Sequence, residues 1–312
     1  MNPLQILSVE QGDVMDFPCD VLVLKHAQGF YGADGAVATR LSVVEPGIDG
    51  LSLAPNKYRL FSSQGTVTAE QVLFMGVVRL YQFDYGQIRS FARYALRVLL
   101  KERPGVSTVA MTMHGIGYGL DEQEAFLAQV AGVQDAYESG HVPPGLKKII
   151  FVERNRGRAQ RMKEILAERY SAPPTEIIEA GEVSEEKPHV FVAMPFSDEF
   201  EDVYGFGIQG PINAAGYLCE RVDMAHFTGD ILERIKTRIE TAALVVADLT
   251  GANANVYLEV GYAWGKGRPT LLTLRGGPGD LMFDVKGHRC LFYTNISNLC
   301  KQLTAELPLI LK

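Results

Sequence analysis

The sequence predicts an α/β protein of two domains, the second built on a doubly wound parallel sheet. Three observations predict it. Apolar runs of strand length alternate with longer amphipathic stretches along both halves. The chain has 312 residues, more than one core ordinarily serves. A segment unable to bury much, SAPPTEIIEAGEVSEEKP at 171–188, lies between the halves and holds a double proline and five glutamates. The domains are therefore expected at 1–170 and 189–312, with 171–188 as linker.

In the first domain, β-rich runs at 4–9, 21–24, 58–62 and 72–77 lead. Helical patterns follow at 85–101, 121–138 and 158–169, alternating with strands at 108–113 and 148–152. In the second, strands are expected at 190–194, 244–248, 270–274 and 290–293, with helices in the gaps. The clearest helix is 230–242, where Ile231, Leu232, Ile235 and Ile239 form one apolar stripe. Right-handed crossovers would close these into a Rossmann- or flavodoxin-like sheet.

Composition narrows the function classes. Hydrophobic residues at 47% and charged residues at 21% are ordinary for a globular chain. The formal charge of −7 works against nucleic-acid polymers and anionic membranes, which need a basic field. It leaves small anionic ligands open, because a few backbone N–H groups hold a phosphate whatever the global charge. The start of the chain lacks a secretory pattern, and no apolar run approaches the roughly 20 residues that span a bilayer. The cysteines, Cys19, Cys219, Cys290 and Cys300, are dispersed without zinc spacing, so reduced thiols, no metal, no cofactor and a cytoplasmic setting are expected.

In a doubly wound sheet, ligands bind outside the carboxyl ends of the strands. After the first strand of domain two come Met194, Pro195 and Phe196, then an acidic helix start and Tyr204. The strand ending at Asp248 leads through Gly251, Asn253 and Asn255 into a helix carrying Glu259. With Asn255 as cap, Glu259 falls in or just after the first turn, where the helix dipole favours an ionised carboxylate. Such a carboxylate suits attack on an anomeric carbon, where positive charge builds as the glycosidic bond breaks. An ordinary solvated acid near a helix start would give the same spacing, so both readings stand.

The segments VFVAMPF, ALVVADLTGANANVYLEVGYAWGKGRPTLLT and FDVKGHR resemble the nucleoside 2-deoxyribosyltransferase-like superfamily, which includes deoxynucleoside monophosphate N-glycosidases. The likeness spans most of 189–293, and its most specific piece is Glu259-Val-Gly261-Tyr-Ala263. The resemblance implies that Glu259 attacks C1′ to form a covalent glycosyl intermediate, that Tyr204 steadies it, and that Asp230 takes the place of a further acidic site residue. Asp230 with Glu233 also reads as a capping box. Where many transferases of the family have an Asp that contacts the base, this chain has Asn253, a poor proton donor. Leaving-group protonation would then fall to Asp248, Asp223 or Asp284, which leans toward a hydrolase or a binding domain without turnover. Phosphate has two candidate seats, the helix start at Gly251–Asn255 and the loop Arg275-Gly276-Gly277-Pro278-Gly279, with Arg221 or Arg289 as clamp. A plain surface turn explains the second loop equally.

In domain one, Gly29, Gly32 and Gly35 follow an apolar strand, and Gly115, Gly117 and Gly119 link a strand to the helix opening at Asp121. Such loops let a backbone approach a phosphate, although glycine also serves ordinary turns. Their order resembles the macro-like N-terminal domain of leucine aminopeptidases over about 9–140, implying a mixed sheet and, from related macro domains, ADP-ribose or similar nucleotides as ligands. The aminopeptidase metal set is absent, and His114 is either a ligand contact or a loop residue.

Taken together, the sequence points to an N-glycosidase, hydrolase or transferase, acting on a nucleoside, nucleotide or NAD-like substrate, with a macro-like domain for nucleotide sensing or assembly. The pairing is similar to effectors of prokaryotic stress or antiphage systems, and the resemblance implies a homo-oligomer. The rival reading is a non-catalytic nucleotide sensor or oligomerising regulator.

Overall fold

The computed structural model describes residues 3–115, 118–170, 187–222 and 230–311. The chain forms two compact units, Met1–Gly115 with Gln123–Glu185 and Ile116–Glu122 with Glu186–Lys312.

Unit one carries a six-stranded mixed sheet. Its strands are β1 (Leu7–Gln11), β2 (Val21–His26), β3 (Tyr58–Ser62), β4 (Gln71–Gly76), β5 (Thr108–Thr112) and β6 (Lys148–Glu153), in the order β1-β6-β5-β2-β4-β3. Only the β3–β4 pair is antiparallel. Among the described residues four helices accompany it: α1 (Gly32–Leu41), α2 (Tyr85–Glu102), α3 (Glu122–Glu138) and α4 (Arg156–Tyr170). The apolar side chains of β2, every one buried, explain why that run reads as an interior strand. The expected strand at 4–9 starts later, because Pro3–Ile6 winds into a 3₁₀ turn before β1. Helix α1 was not anticipated; the sequence GADGAVATRL offers little amphipathic signal, with two glycines among its ten residues.

Unit two is parallel throughout, with β7 (His189–Ala193), β8 (Leu218–Glu220), β9 (Leu244–Asp248), β10 (Thr270–Arg275) and β11 (Cys290–Tyr293) in the order β11-β10-β9-β7-β8. Alternate residues of β7 and β9 feed two cores. Val190, Val192, Leu244 and Val246 face Tyr204, Ile208, Ile212, Leu299 and Leu303. Phe191, Ala193, Val245 and Ala247 face Ile235, Ile239, Val256, Val260 and Ala263. Helices therefore cover both faces, as a doubly wound sheet requires. They are α5 (Asp198–Asp202), a π-helical stretch Val203–Gln209 running into α6 (Gly210–Ala214), then α7 (Asp230–Thr241), α8 (Ala254–Gly265) and α9 (Ile296–Ile310). Among the described residues, no helix is long and apolar enough to cross a membrane.

Candidate functional site

The strand order of unit two marks where a sheet of this kind would hold a ligand. From β7 the chain moves to β8 on one side, then returns to β9, β10 and β11 on the other. The direction reverses between β7 and β9, and the crevice of an open parallel sheet opens outside the carboxyl ends of such a strand pair.

At the end of β9, Asp248 is fully buried. Its carboxylate accepts from the Tyr293 hydroxyl at 2.7 Å and from the Thr250 N–H at 2.9 Å. The Thr250 hydroxyl in turn accepts from the Arg275 N–H at 2.9 Å, so the polar set ties together the ends of β9, β10 and β11. Burial raises the Asp248 pKa while these hydrogen bonds oppose the rise. Asp248, one of the candidates for protonating a leaving group, is buried and accepts these two hydrogen bonds at the edge.

The chain then turns sharply. Gly251 has φ +77° and Ala252 φ +52°, the latter a conformation that a residue with Cβ rarely adopts. The turn delivers Asn253, not the expected Asn255, as the cap of α8: its side chain accepts from the Asn255 N–H at 2.9 Å. Glu259 is thereby the sixth helical residue rather than a first-turn one. The dipole fades beyond the first turn, so burial governs this carboxyl. Glu259 is 8% exposed, on the buried stripe with Val256, Val260 and Ala263. No hydrogen bond or ion pair reaches it from the described residues, and burial pushes its pKa up to about 8. Burial thus works against the ionised form expected from the helix start.

Across the crevice, Met194 is buried at the end of β7, followed by half-buried Pro195 and Phe196. Beneath them lies Arg221, just past β8 and 4% exposed. Its guanidinium stacks 4.5 Å from the Phe196 ring and 4.1 Å from the Tyr204 ring. It donates to Glu201 Oε1 at 2.5 Å. Tyr204 does not steady Glu259 as expected: its hydroxyl donates to the Cys219 carbonyl at 3.1 Å, which commits its one proton. Burial also raises the Tyr204 pKa well above its usual range.

Other sequence candidates disperse. Asp230 opens α7, but its side chain and Asp223 lie outside the described residues. Asp284 is exposed, and Arg289 pairs on the surface with Glu306. The glycine loop after β10 closes on itself, because the Gly277 N–H donates to the Asp280 carboxylate at 2.9 Å, filling the place of an external anion. The turn at Gly251, with Asn255, remains exposed.

In unit one, the β2–α1 loop contains Gly29, Gly32 at φ +52° and Gly35 inside α1. After β5, Gly115 has φ +83°; Gly119, with φ +86°, belongs to unit two, and Gly117 lies outside the described residues. Between the loops the sequence reading missed a buried ion pair, Lys25 to Asp34 at 2.6 Å. The signal was present in VLVLKH, a lysine inside an otherwise apolar strand. His114 is 1% exposed, edge-on to Phe91 at 4.3 Å, and burial lowers its pKa well below the usual value, so the ring is neutral.

Comparison with known proteins adds a fold-level likeness only. No family model matches the chain, and no curated protein matches it. Among solved structures, the chain is similar to a Trypanosoma brucei macrodomain in complex with ADP, at 17% identity and a TM-score of 0.44 over 52% of this chain and 69% of that one. The same macrodomain with ADP-ribose gives 18% and 0.43 over 51% and 68%. An Oceanobacillus iheyensis macrodomain with ADP gives 19% and 0.39 over 52% and 92%.

Proposed function

We propose that unit two is an N-glycosidase that binds a nucleoside or nucleotide at the carboxyl ends of β7 and β9, with Glu259 acting at C1′. One observation carries this reading. A carboxyl more than nine-tenths buried, with no partner among the described residues, sits on the helix that follows the central strand at the switch point. Burying a carboxyl without a partner is unfavourable for folding, and such groups gather where a ligand completes them. The resemblance around Glu259-Val-Gly261-Tyr-Ala263 assigns the same residue.

The proton held by Glu259 at rest balances the reaction. A carboxyl oxygen bonds to C1′, the C1′–N bond breaks with its electron pair going to the base nitrogen, and the carboxyl proton leaves with the base. Water then attacks C1′ of the glycosyl ester, giving the free sugar and restoring the acid. No separate acid is required, which accommodates Asn253 and the sealed Asp248.

The test is incubation with deoxynucleosides, their monophosphates, ribonucleotides and NAD, following free base by chromatography. Glu259→Gln is expected to abolish release while retaining binding. Equal rates for both proteins would remove Glu259 from the chemistry, and no release from any compound would remove the enzyme.

For unit one, a small nucleotide is the ligand we propose. The support is two left-handed glycines, Gly32 in the loop after β2 and Gly115 after the neighbouring strand β5, where backbone could approach a phosphate closely. Calorimetric titration with ADP and ADP-ribose tests it. Saturable binding that is lost in Gly32→Val, strained at φ +52°, and unchanged in Arg221→Lys assigns the ligand to unit one; no binding removes the proposal.

A further inference from the structure

The surroundings of Arg221 bear on which substrate unit two accepts, given the proposed reaction at Glu259. Arg221 follows β8, the strand beside β7, and its guanidinium lies against the segment that leaves β7 at the switch point. Contacts with the Phe196 and Tyr204 rings and with Glu201 hold the guanidinium in place, so its N–H groups have set directions. One edge is matched to the Glu201 carboxylate at 2.5 Å. The other terminal nitrogen meets the Met194 thioether at 3.8 Å, and a thioether sulfur is a weak acceptor for a charged donor. A strong, oriented donor is thus held against a soft side chain of the crevice wall.

We propose that Arg221 is a substrate-binding residue that takes a phosphoryl oxygen of the ligand at the nitrogen now facing Met194. Unit two is then selective for phosphorylated substrates, and Glu201 moderates the affinity by sharing the guanidinium. Planar arginine recognises phosphate through its N–H groups, and the Phe196 and Tyr204 rings, 4.5 and 4.1 Å from the guanidinium carbon, restrict its movement. A carboxylate on one nitrogen and a phosphoryl group on the other compete for one positive charge. Weakening the first contact strengthens the second.

The experiment measures binding rather than turnover, so it remains informative if Glu259 proves inert. Full-length protein is titrated by calorimetry with a deoxynucleoside and with its 5′-monophosphate, and inorganic phosphate is added as competitor. Wild type is expected to bind the monophosphate at least about tenfold tighter. Arg221→Lys should reduce that ratio toward one. Glu201→Gln gives the opposite sign: it should tighten monophosphate binding and enlarge the thermal shift produced by phosphate. A purely structural Arg221–Glu201 pair predicts looser or unchanged binding in Glu201→Gln, and that result overturns the proposal. So does a monophosphate isotherm unchanged by Arg221→Lys, which would place the site elsewhere in the chain. Base release without phosphate preference overturns the role of Arg221 alone. Phosphate preference without base release removes the glycosidase reading and leaves Arg221 standing as a nucleotide-binding residue.

Discussion

In each unit a helix that follows a strand's carboxyl edge carries a buried carboxyl, and the two are handled differently. Asp34, the third residue of α1, is 2% exposed and meets the Lys25 ammonium at 2.6 Å. Glu259, deeper in α8, is 8% exposed and has no such cation among the described residues. Burial raises both pKa values; Lys25 pulls against the rise at Asp34, while nothing opposes it at Glu259. The first arrangement is compensated within the fold. The second is left uncompensated among the described residues, and under the proposed function the ligand supplies what the fold does not.

The largest effect that can break this contrast comes from unit one. Lys25→Met strips the partner from a buried carboxyl and should lower stability by about 3–5 kcal/mol in urea denaturation. Adding Asn at position 34 removes the stranded charge, so the double variant should recover most of the loss. A single-variant loss below about 1 kcal/mol would show that the pair is not what compensates Asp34.

Glu259 should behave with the opposite sign. Its folded pKa of about 8 lies above the usual carboxyl value, so the folded state holds a proton that the unfolded chain releases. Stability attributable to this group is full at low pH and is lost as pH rises from the ordinary range through about 8. Glu259→Gln removes that dependence. The variant should gain stability over wild type as pH rises, with the gap at pH 7 exceeding that at pH 4 by about 3 kcal/mol. Parallel melting curves across that range would show that Glu259 is ordinarily ionised.

The same group shapes the rate. If, as proposed, the departing base takes the Glu259 proton, kcat/KM should be level up to about pH 8 and fall about tenfold per unit above it. A profile that instead rises toward pH 8 would mean that the carboxylate attacks and the base finds its proton elsewhere. That outcome keeps Glu259 as nucleophile and overturns the shared proton.

How much of this was legible in the residues depends on whether a feature is local. The runs at 58–62, 244–248 and 290–293 became β3, β9 and β11 unchanged, because β-branched and aromatic side chains between turn residues specify a strand by themselves. β8 escaped because its three residues have no period to detect, and α1 because its glycines mimic a loop. The position of Glu259 was readable from its motif, but its protonation was not. That depends on packing α8 against the sheet, which no window of sequence contains. Tyr204 was similarly visible as a residue and invisible as a contact, since the Cys219 carbonyl that takes its proton belongs to the unforeseen strand. Arg221 could be named from sequence only as one arginine among several; Phe196, Tyr204 and Glu201 converge on it only in the folded unit.

The smallest effect concerns Asn253, where sequence and structure disagree on which asparagine starts α8. As the cap, Asn253 relieves an N–H that α8 otherwise leaves unpaired, so Asn253→Ala should cost about 1 kcal/mol, and Asn255→Ala markedly less. Asn253→Asp should be close to neutral, because aspartate caps as well and its charge suits the positive end of the helix. The aspartate also tests the contrast between the two carboxyls from the ligand side. It places a carboxyl where many transferases of the resembled family have one. Ionised at the helix end, that aspartate holds no proton above pH 8, so the fall in base release there should persist, and its disappearance would show that the proton lost above pH 8 is not the one the departing base takes. If the decline persists unchanged, position 253 serves the helix alone, and the chemistry of the crevice rests on the single uncompensated acid.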